Sequence, residues 1–126
     1  MHMSRRYLRF LFWLVLSVVL LGSLLPNKIP GPATFYYDKF LHFSAYALLY
    51  FFAERAYGTV SSRLLLGFVV ISFGFAIEVT QTFILYRHGD PLDIIANALG
   101  VLCAASLPNL YKFYGKISEP PDDVIR

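Results

Sequence analysis

Four long apolar runs, each near the length of a membrane-spanning helix, leave this 126-residue chain little room to fold as anything but a membrane protein. They cover 7–25, 39–56, 64–85 and 92–111, and each is close to the roughly 20 residues a helix needs to cross hydrocarbon. With 57% hydrophobic and only 15% charged residues, a soluble domain this small could not hide its apolar surface. The runs must be helices. An open strand leaves backbone groups unpaired in lipid, and these runs lack the polar/apolar alternation of a barrel strand. The expected fold is all-α: a four-transmembrane-helix bundle forming a single domain over 1–126, with no soluble appendage.

Basic residues supply the expected orientation. Arg5, Arg6 and Arg9 flank the first run, Arg55 and Arg63 bracket the second loop, and Lys112, Lys116 and Arg126 follow the fourth run, whereas the other side carries only Lys28, Lys39 and Arg87. The positive-inside rule then places both termini in the cytoplasm and the first and third loops outside. The net charge of +3 reads as an attraction to anionic lipid at the inner surface, and nucleic acid is not an expected partner. Tyr36, Tyr37, Tyr86, Tyr111 and Tyr114 fall at run ends, where amphipathic rings favour the interface. These features predict a multi-pass protein of the bacterial cytoplasmic (inner) membrane.

The first run reads as an uncleaved anchor. Its core is too long for a signal peptide and ends in Leu24-Leu25-Pro26, without a small-residue cleavage site. Ser4-Arg5-Arg6-Tyr7-Leu8 is similar to a twin-arginine signal, but that route exports folded soluble domains, and none follows. A single cysteine, Cys103, excludes an intrachain disulfide and is expected to pack within the fourth run.

Polar residues inside the runs are not scattered. Ionisable groups in a membrane span are costly, so where they gather a function is the first hypothesis. Asp38, His42 and Tyr46 follow one another at i, i+4, i+8 and share a helix face; Glu78 and Gln81 do so at i, i+3, and Asp93 and Asn97 at i, i+4. At about 1.5 Å per residue, His42 and Tyr46 sit roughly 6 and 12 Å below the outer surface, with Glu78 roughly 10 Å and Gln81 roughly 6 Å below it. Runs two, three and four thereby bring carboxylate, imidazole, phenol and amide groups to one depth in the outer leaflet. The cytoplasmic half has no matching set.

The ordered set Asp38-Lys39-x-x-His42-x-x-x-Tyr46, Glu78-x-x-Gln81 and Arg87-x-x-Asp90-x-x-Asp93-x-x-x-Asn97-x-x-Gly100 resembles the pattern of the VanZ-like family of small bacterial membrane proteins over Asp38 to Ala104. Ala104 stands where the family commonly has a glycine. The resemblance implies a link to resistance against teicoplanin, a lipoglycopeptide acting on cell-wall precursors. It supplies a context without a reaction.

Each of these residues also has a purely structural use. Asp38 and Asp93 could be favoured by helix dipoles, Gln81 and Asn97 could bridge helices, and Tyr46 could simply pack. Gly67, Gly74 and Gly100 with Ala104 suit close helix contacts. Glu78 and His42 fit that reading least, since a carboxylate this deep must be paired, hydrated or protonated. Two functional classes stay open. In the enzymatic one, His42 and Glu78 act as general base and acid, Asp38, Asp90 and Asp93 position or activate the nucleophile, and Lys39 or Arg87 clamps a phosphate. In the other, the same cleft, with Tyr46, Gln81 and Asn97, binds or transports a lipid head group or an amphiphilic drug. The expected ligands are membrane lipid, a polyprenyl-phosphate-linked intermediate or a lipoglycopeptide. No cofactor is named by any motif. A divalent metal on Asp38, His42, Glu78 and Asp93 would serve the enzymatic class, although no compact metal motif such as H-E-x-x-H is present, and neither is a nucleotide-binding loop.

Overall fold

The computed structural model describes residues 4–26 and 32–118, and the side chains of residues 4–26 and 34–111. Lys28 and Arg126, and the side chains of Lys112, Tyr114 and Lys116, lie outside that set. The described residues form four helices: α1 (Arg5–Leu24), α2 (Pro32–Tyr57), α3 (Arg63–Thr82) and α4 (Pro91–Ser118). Among the described residues there is no strand.

Local chemistry sets the helix ends. Ser4 and Ser62 cap α1 and α3, their side chains accepting from the N–H groups of Tyr7 and Leu65, which satisfies donors that have no partner inside the helix. Pro32 and Pro91 open α2 and α4, the position where a missing N–H costs nothing. Asp90 caps α4: its carboxylate accepts from Leu92 N–H at 2.9 Å and its carbonyl from Asp93 N–H at 2.9 Å. Pro108, inside α4, withdraws the donor that Ala104 O would otherwise receive. One residue on, Arg63 Nη2 donates to Ala105 O at 2.5 Å.

Three helices, α1, α3 and α4 up to Tyr111, are long and apolar enough to span a membrane, and the chain is a membrane protein. Their large apolar side chains point outward: Phe10, Leu14, Val18 and Leu21 on α1, Phe68 and Phe75 on α3, Ile95 and Leu102 on α4 are all exposed. A soluble monomer does not carry such a belt. The 26-residue α2 is long enough but more polar, with Asp38, Lys39 and His42 towards one end and Glu54 and Arg55 towards the other. It can be so because it is central. It packs against α1, α3 and α4, whereas α1 makes no contact of note with α4, and Tyr46, Leu49, Tyr50 and Ala53 form the core with Val70, Val101 and Ala104.

The helices depart from the expected runs at several places. α2 begins at Pro32, so residues 32–37 are helix where a linker was expected. Asp38 therefore lies in the second turn, too far in to act as an N-terminal dipole residue. α3 ends at Thr82, three residues early, which leaves Glu78 about 6 Å from the helix end. Cys103 is exposed on the outer face of α4, not packed in the bundle. Small residues do sit at helix crossings: Gly67 faces Tyr50 and Val101, Gly74 faces Tyr46 and Asn97, and Gly100 lies against the backbone of Phe43 and Ala47.

Candidate functional site

The polar residues divide between the two ends of the bundle. At one end Arg63 Nε pairs with Glu54 Oε1 at 2.5 Å, Trp13 Nε1 donates to Tyr57 Oη at 3.0 Å, Arg5 Nη1 donates to Thr59 Oγ1 at 3.1 Å, and Arg9 stacks over the Tyr57 ring. The Arg63–Glu54 pair joins α3 to α2, and the other contacts anchor α1 to the end of α2 and the loop after it. The other end holds the candidate site residues of the sequence pattern.

Lys39 is the hub of that second end. Its ammonium donates to Asp93 Oδ1 and to Asp90 Oδ2, the latter at 2.5 Å, and lies 3.5 Å from Asp38 Oδ2. Asp90, in the loop before α4, has its carboxyl held below the usual carboxylate range, first because Lys39 donates to it and also because it accepts the Leu92 N–H. Lys39 is thus shared among three carboxylates.

His42, one turn further along α2, reaches the same group. Its Nδ1 is 3.0 Å from Asn97 Oδ1, and its Nε2 is 3.5 Å from Asp93 Oδ2 and 4.0 Å from Asp38 Oδ1. Asp38, His42 and Asp93 each offer one potential ligand atom, all within 4.8 Å of one another. Asp93 and Asn97 are 5% and 2% exposed. Their burial follows from Gly100, whose missing side chain brings α4 onto α2.

Glu78 is 3% exposed. Its Oε2 accepts the Asp90 N–H at 3.0 Å, while its Oε1 has no hydrogen-bond partner. Gly89 makes this close approach possible: a Cβ there would stand 2.6 Å from the Glu78 carbonyl oxygen. Tyr46 is fully buried against Gly74.

Gln81 and Arg87 turn away from the carboxylates towards α1. Gln81 Nε2 donates to Ser23 O at 2.6 Å and Arg87 Nη2 to Gly22 O at 3.0 Å. Both carbonyls belong to the last turn of α1, where no intrahelical donor is available, and a cation there also favours the helix dipole. The two residues close the end of α1 and tie it to α3.

Between α1 and α2 lies a cavity of about 390 Å³. Val18, Val19, Leu25, Leu41 and Ala45 give it an apolar wall, and Asp38, His42, Tyr46 and Arg87 give it a polar end. α1, which lies outside the second, third and fourth runs that carry the expected site residues, supplies much of this lining. Of the expected site residues only those four reach the cavity. Lys39, Glu78, Asp90, Asp93 and Asn97 stand behind them as a connected layer. The contribution of Val18, Val19, Gly22 and Ser23 escaped the sequence reading. The available signal was Gly22-Ser23, the small and polar pair that ends an otherwise bulky run at the depth of the cluster.

A family model described as VanZ/LLP1 matches residues 3–112. The match takes in α1 as well as the region from Asp38 to Ala104 that carries the sequence pattern. Neither the curated proteins nor the solved structures give a match.

Proposed function

The chain belongs to the VanZ/LLP1 family, and on that premise we propose that it is an envelope protein whose cavity binds a lipid-linked cell-wall intermediate or a lipoglycopeptide, with the apolar tail along α1 and the head group at Asp38, His42 and Arg87. The observation that carries this reading is the pairing of an apolar wall with a polar end in one cavity of about 390 Å³, the distribution an amphiphile requires. The family's association with teicoplanin resistance supplies the class of ligand. Arg87 keeps donors beyond the one bonded to Gly22, and a guanidinium suits a phosphate or carboxylate head group. Behind the cavity, His42 and Glu78 are the groups that would move protons if the bound molecule is also modified.

In this reading α2 is the fourth membrane span, its polar residues masked by the helices around it. The bundle forms one domain of the bacterial inner membrane, with both termini cytoplasmic and the cavity at the outer leaflet. The basic end, with Arg5, Arg9, Arg55 and Arg63, supports that orientation. Single cysteines at His88 and at Val60, both exposed, test it in a Cys103→Ala background. His88→Cys should label with an impermeant thiol reagent in intact cells and Val60→Cys should not; the opposite pattern would put the cavity on the cytoplasmic face. Gly89, in the same loop, is unsuited to the experiment because a side chain there meets the Glu78 backbone.

Ligand binding is tested with purified protein. Undecaprenyl phosphate or teicoplanin should raise its melting temperature, because a ligand of the cavity stabilises the folded state that carries it. Val19→Trp, which fills the apolar wall, and Arg87→Ala should each shrink that shift, whereas Arg55→Ala at the other end should preserve it. Equal shifts in all four proteins would sink the assignment of this cavity. A second reading, in which the cluster only holds the helices together, is favoured by the way Gln81 and Arg87 close α1; it expects no shift with either amphiphile.

A further inference from the structure

We propose that Asp38, His42 and Asp93 bind a divalent first-row metal ion of the zinc or manganese class. The His42 imidazole fixes the arrangement. Its Nδ1 faces the side-chain oxygen of the buried Asn97 at 3.0 Å, an oxygen that can only accept, so Nδ1 carries the proton. Nε2 then presents its lone pair to two carboxylate oxygens, Asp93 Oδ2 at 3.5 Å and Asp38 Oδ1 at 4.0 Å. Three acceptors facing one another repel unless a cation stands between them. A proton on Nε2 fits poorly, because charge-assisted hydrogen bonds close to about 2.7–2.9 Å. An ion bonded to nitrogen and oxygen at about 2.0–2.2 Å instead keeps neighbouring donors roughly 3 to 4 Å apart, the separation of Nε2 from both carboxylate oxygens.

Asn97 is the partner such a site requires. A metal-bound histidine donates its other N–H to an acceptor that fixes the ring and its tautomer, and Asn97 sits across from His42 in that role. Lys39 does not compete for the position. It takes Asp93 Oδ1, leaving Oδ2 turned towards the imidazole.

Two further observations, independent of the triad's spacing, favour a cation at this site. Glu78 Oε1 is buried without a hydrogen-bond partner, and its carboxylate is within electrostatic reach of Asp93 and His42. A water carried by the ion would supply the donor that this oxygen lacks. Charge balance agrees. Asp38, Glu78, Asp90 and Asp93 gather around one permanent cation, Lys39, since Arg87 turns towards α1, and a divalent ion offsets most of the remaining negative charge. An imidazole with two carboxylates suits zinc or manganese, while calcium and magnesium prefer oxygen alone. The inference does not rest on the amphiphile reading, because the ion would occupy this site with or without a lipid in the cavity.

The test uses full-length protein with any affinity tag removed, stripped with chelator and reloaded with Zn²⁺ or Mn²⁺. Elemental analysis after desalting should find about one ion per chain. Pulsed electron paramagnetic resonance of the Mn²⁺ form should show nitrogen coupling from a directly bound imidazole. His42→Ala and Asp93→Asn should abolish retention, and Asn97→Ala should weaken affinity by roughly 10- to 100-fold. His88→Ala, which removes an exposed imidazole, should change nothing. If His42→Ala fails to fold, the nitrogen coupling in the unaltered protein decides. No retained ion, no nitrogen coupling, or retention that survives in a folded His42→Ala protein would each overturn the proposal.

Discussion

Replacing Lys39 by methionine should destabilise the bundle by about 3 kcal/mol, at the lower end of what removing one partner of a buried ion pair costs. The loss is expected because the Lys39 ammonium is shared among Asp38, Asp90 and Asp93, and methionine keeps the bulk while deleting the charge. Asp93 dominates. Its side chain is 8% exposed, against 30% for Asp38 and 35% for Asp90, which water can still reach. The second variant identifies the cause: with Asp93→Asn added, most of the loss should be recovered, because the stranded charge has gone. Thermal and denaturant unfolding of the single and double variants in one detergent makes the comparison. A Lys39→Met protein as stable as the unaltered one would mean that the carboxylates do not depend on this lysine.

That network also marks how far the sequence could be read. Spacing alone placed Asp38, His42 and Tyr46 on one face, and it paired Glu78 with Gln81 and Asp93 with Asn97, since helical periodicity needs no tertiary information. The resemblance to the VanZ-like pattern holds as family membership. Spacing could not show partner choice. Lys39 and Arg87 looked equivalent as basic residues near the surface, yet one joins three carboxylates and the other closes α1, a difference set by rotamers and by where α1 ends. Asp90 appeared as a site residue, and its local task is to cap α4. Apolar periodicity likewise overlooked the first turns of α2, where Tyr36 and Tyr37 blur the boundary with the linker. The outward face of Cys103 was hidden too, because a run this apolar reads alike on the lipid side and the packed side.

Gly100→Leu should prevent α2 and α4 from pairing at all, and even Gly100→Ala should cost about 1–3 kcal/mol, the range for overpacking a tight contact. A Cβ on Gly100 would run into the Phe43 carbonyl oxygen and stand 3.0 Å from Ala47 N. Both obstacles are backbone, so no side chain can swing aside to make room. Alanine brings about 1 kcal/mol of helix propensity in compensation, so a net loss is strong evidence for the contact. The other glycines grade the test. Gly22 has nothing within 4 Å, and Gly67 would make ordinary contacts with Tyr50 and Val101 at 3.6 and 3.7 Å, so alanine at either should be neutral or mildly stabilising. Gly74 falls between, because its Cβ would press on Tyr46 Cε1 at 2.8 Å and on Asn97 Nδ2 at 2.9 Å, side chains that can give a little. Gly74→Ala should therefore leave a folded protein in which Asn97 has shifted under His42, with metal retention falling more than stability does. Melting temperatures of the four alanine variants, measured in one detergent, should rank Gly100 lowest and Gly74 next. If Gly100→Ala melts with Gly22→Ala, α2 and α4 are not in backbone contact, and the burial of Asp93 and Asn97 that depends on this crossing fails with it.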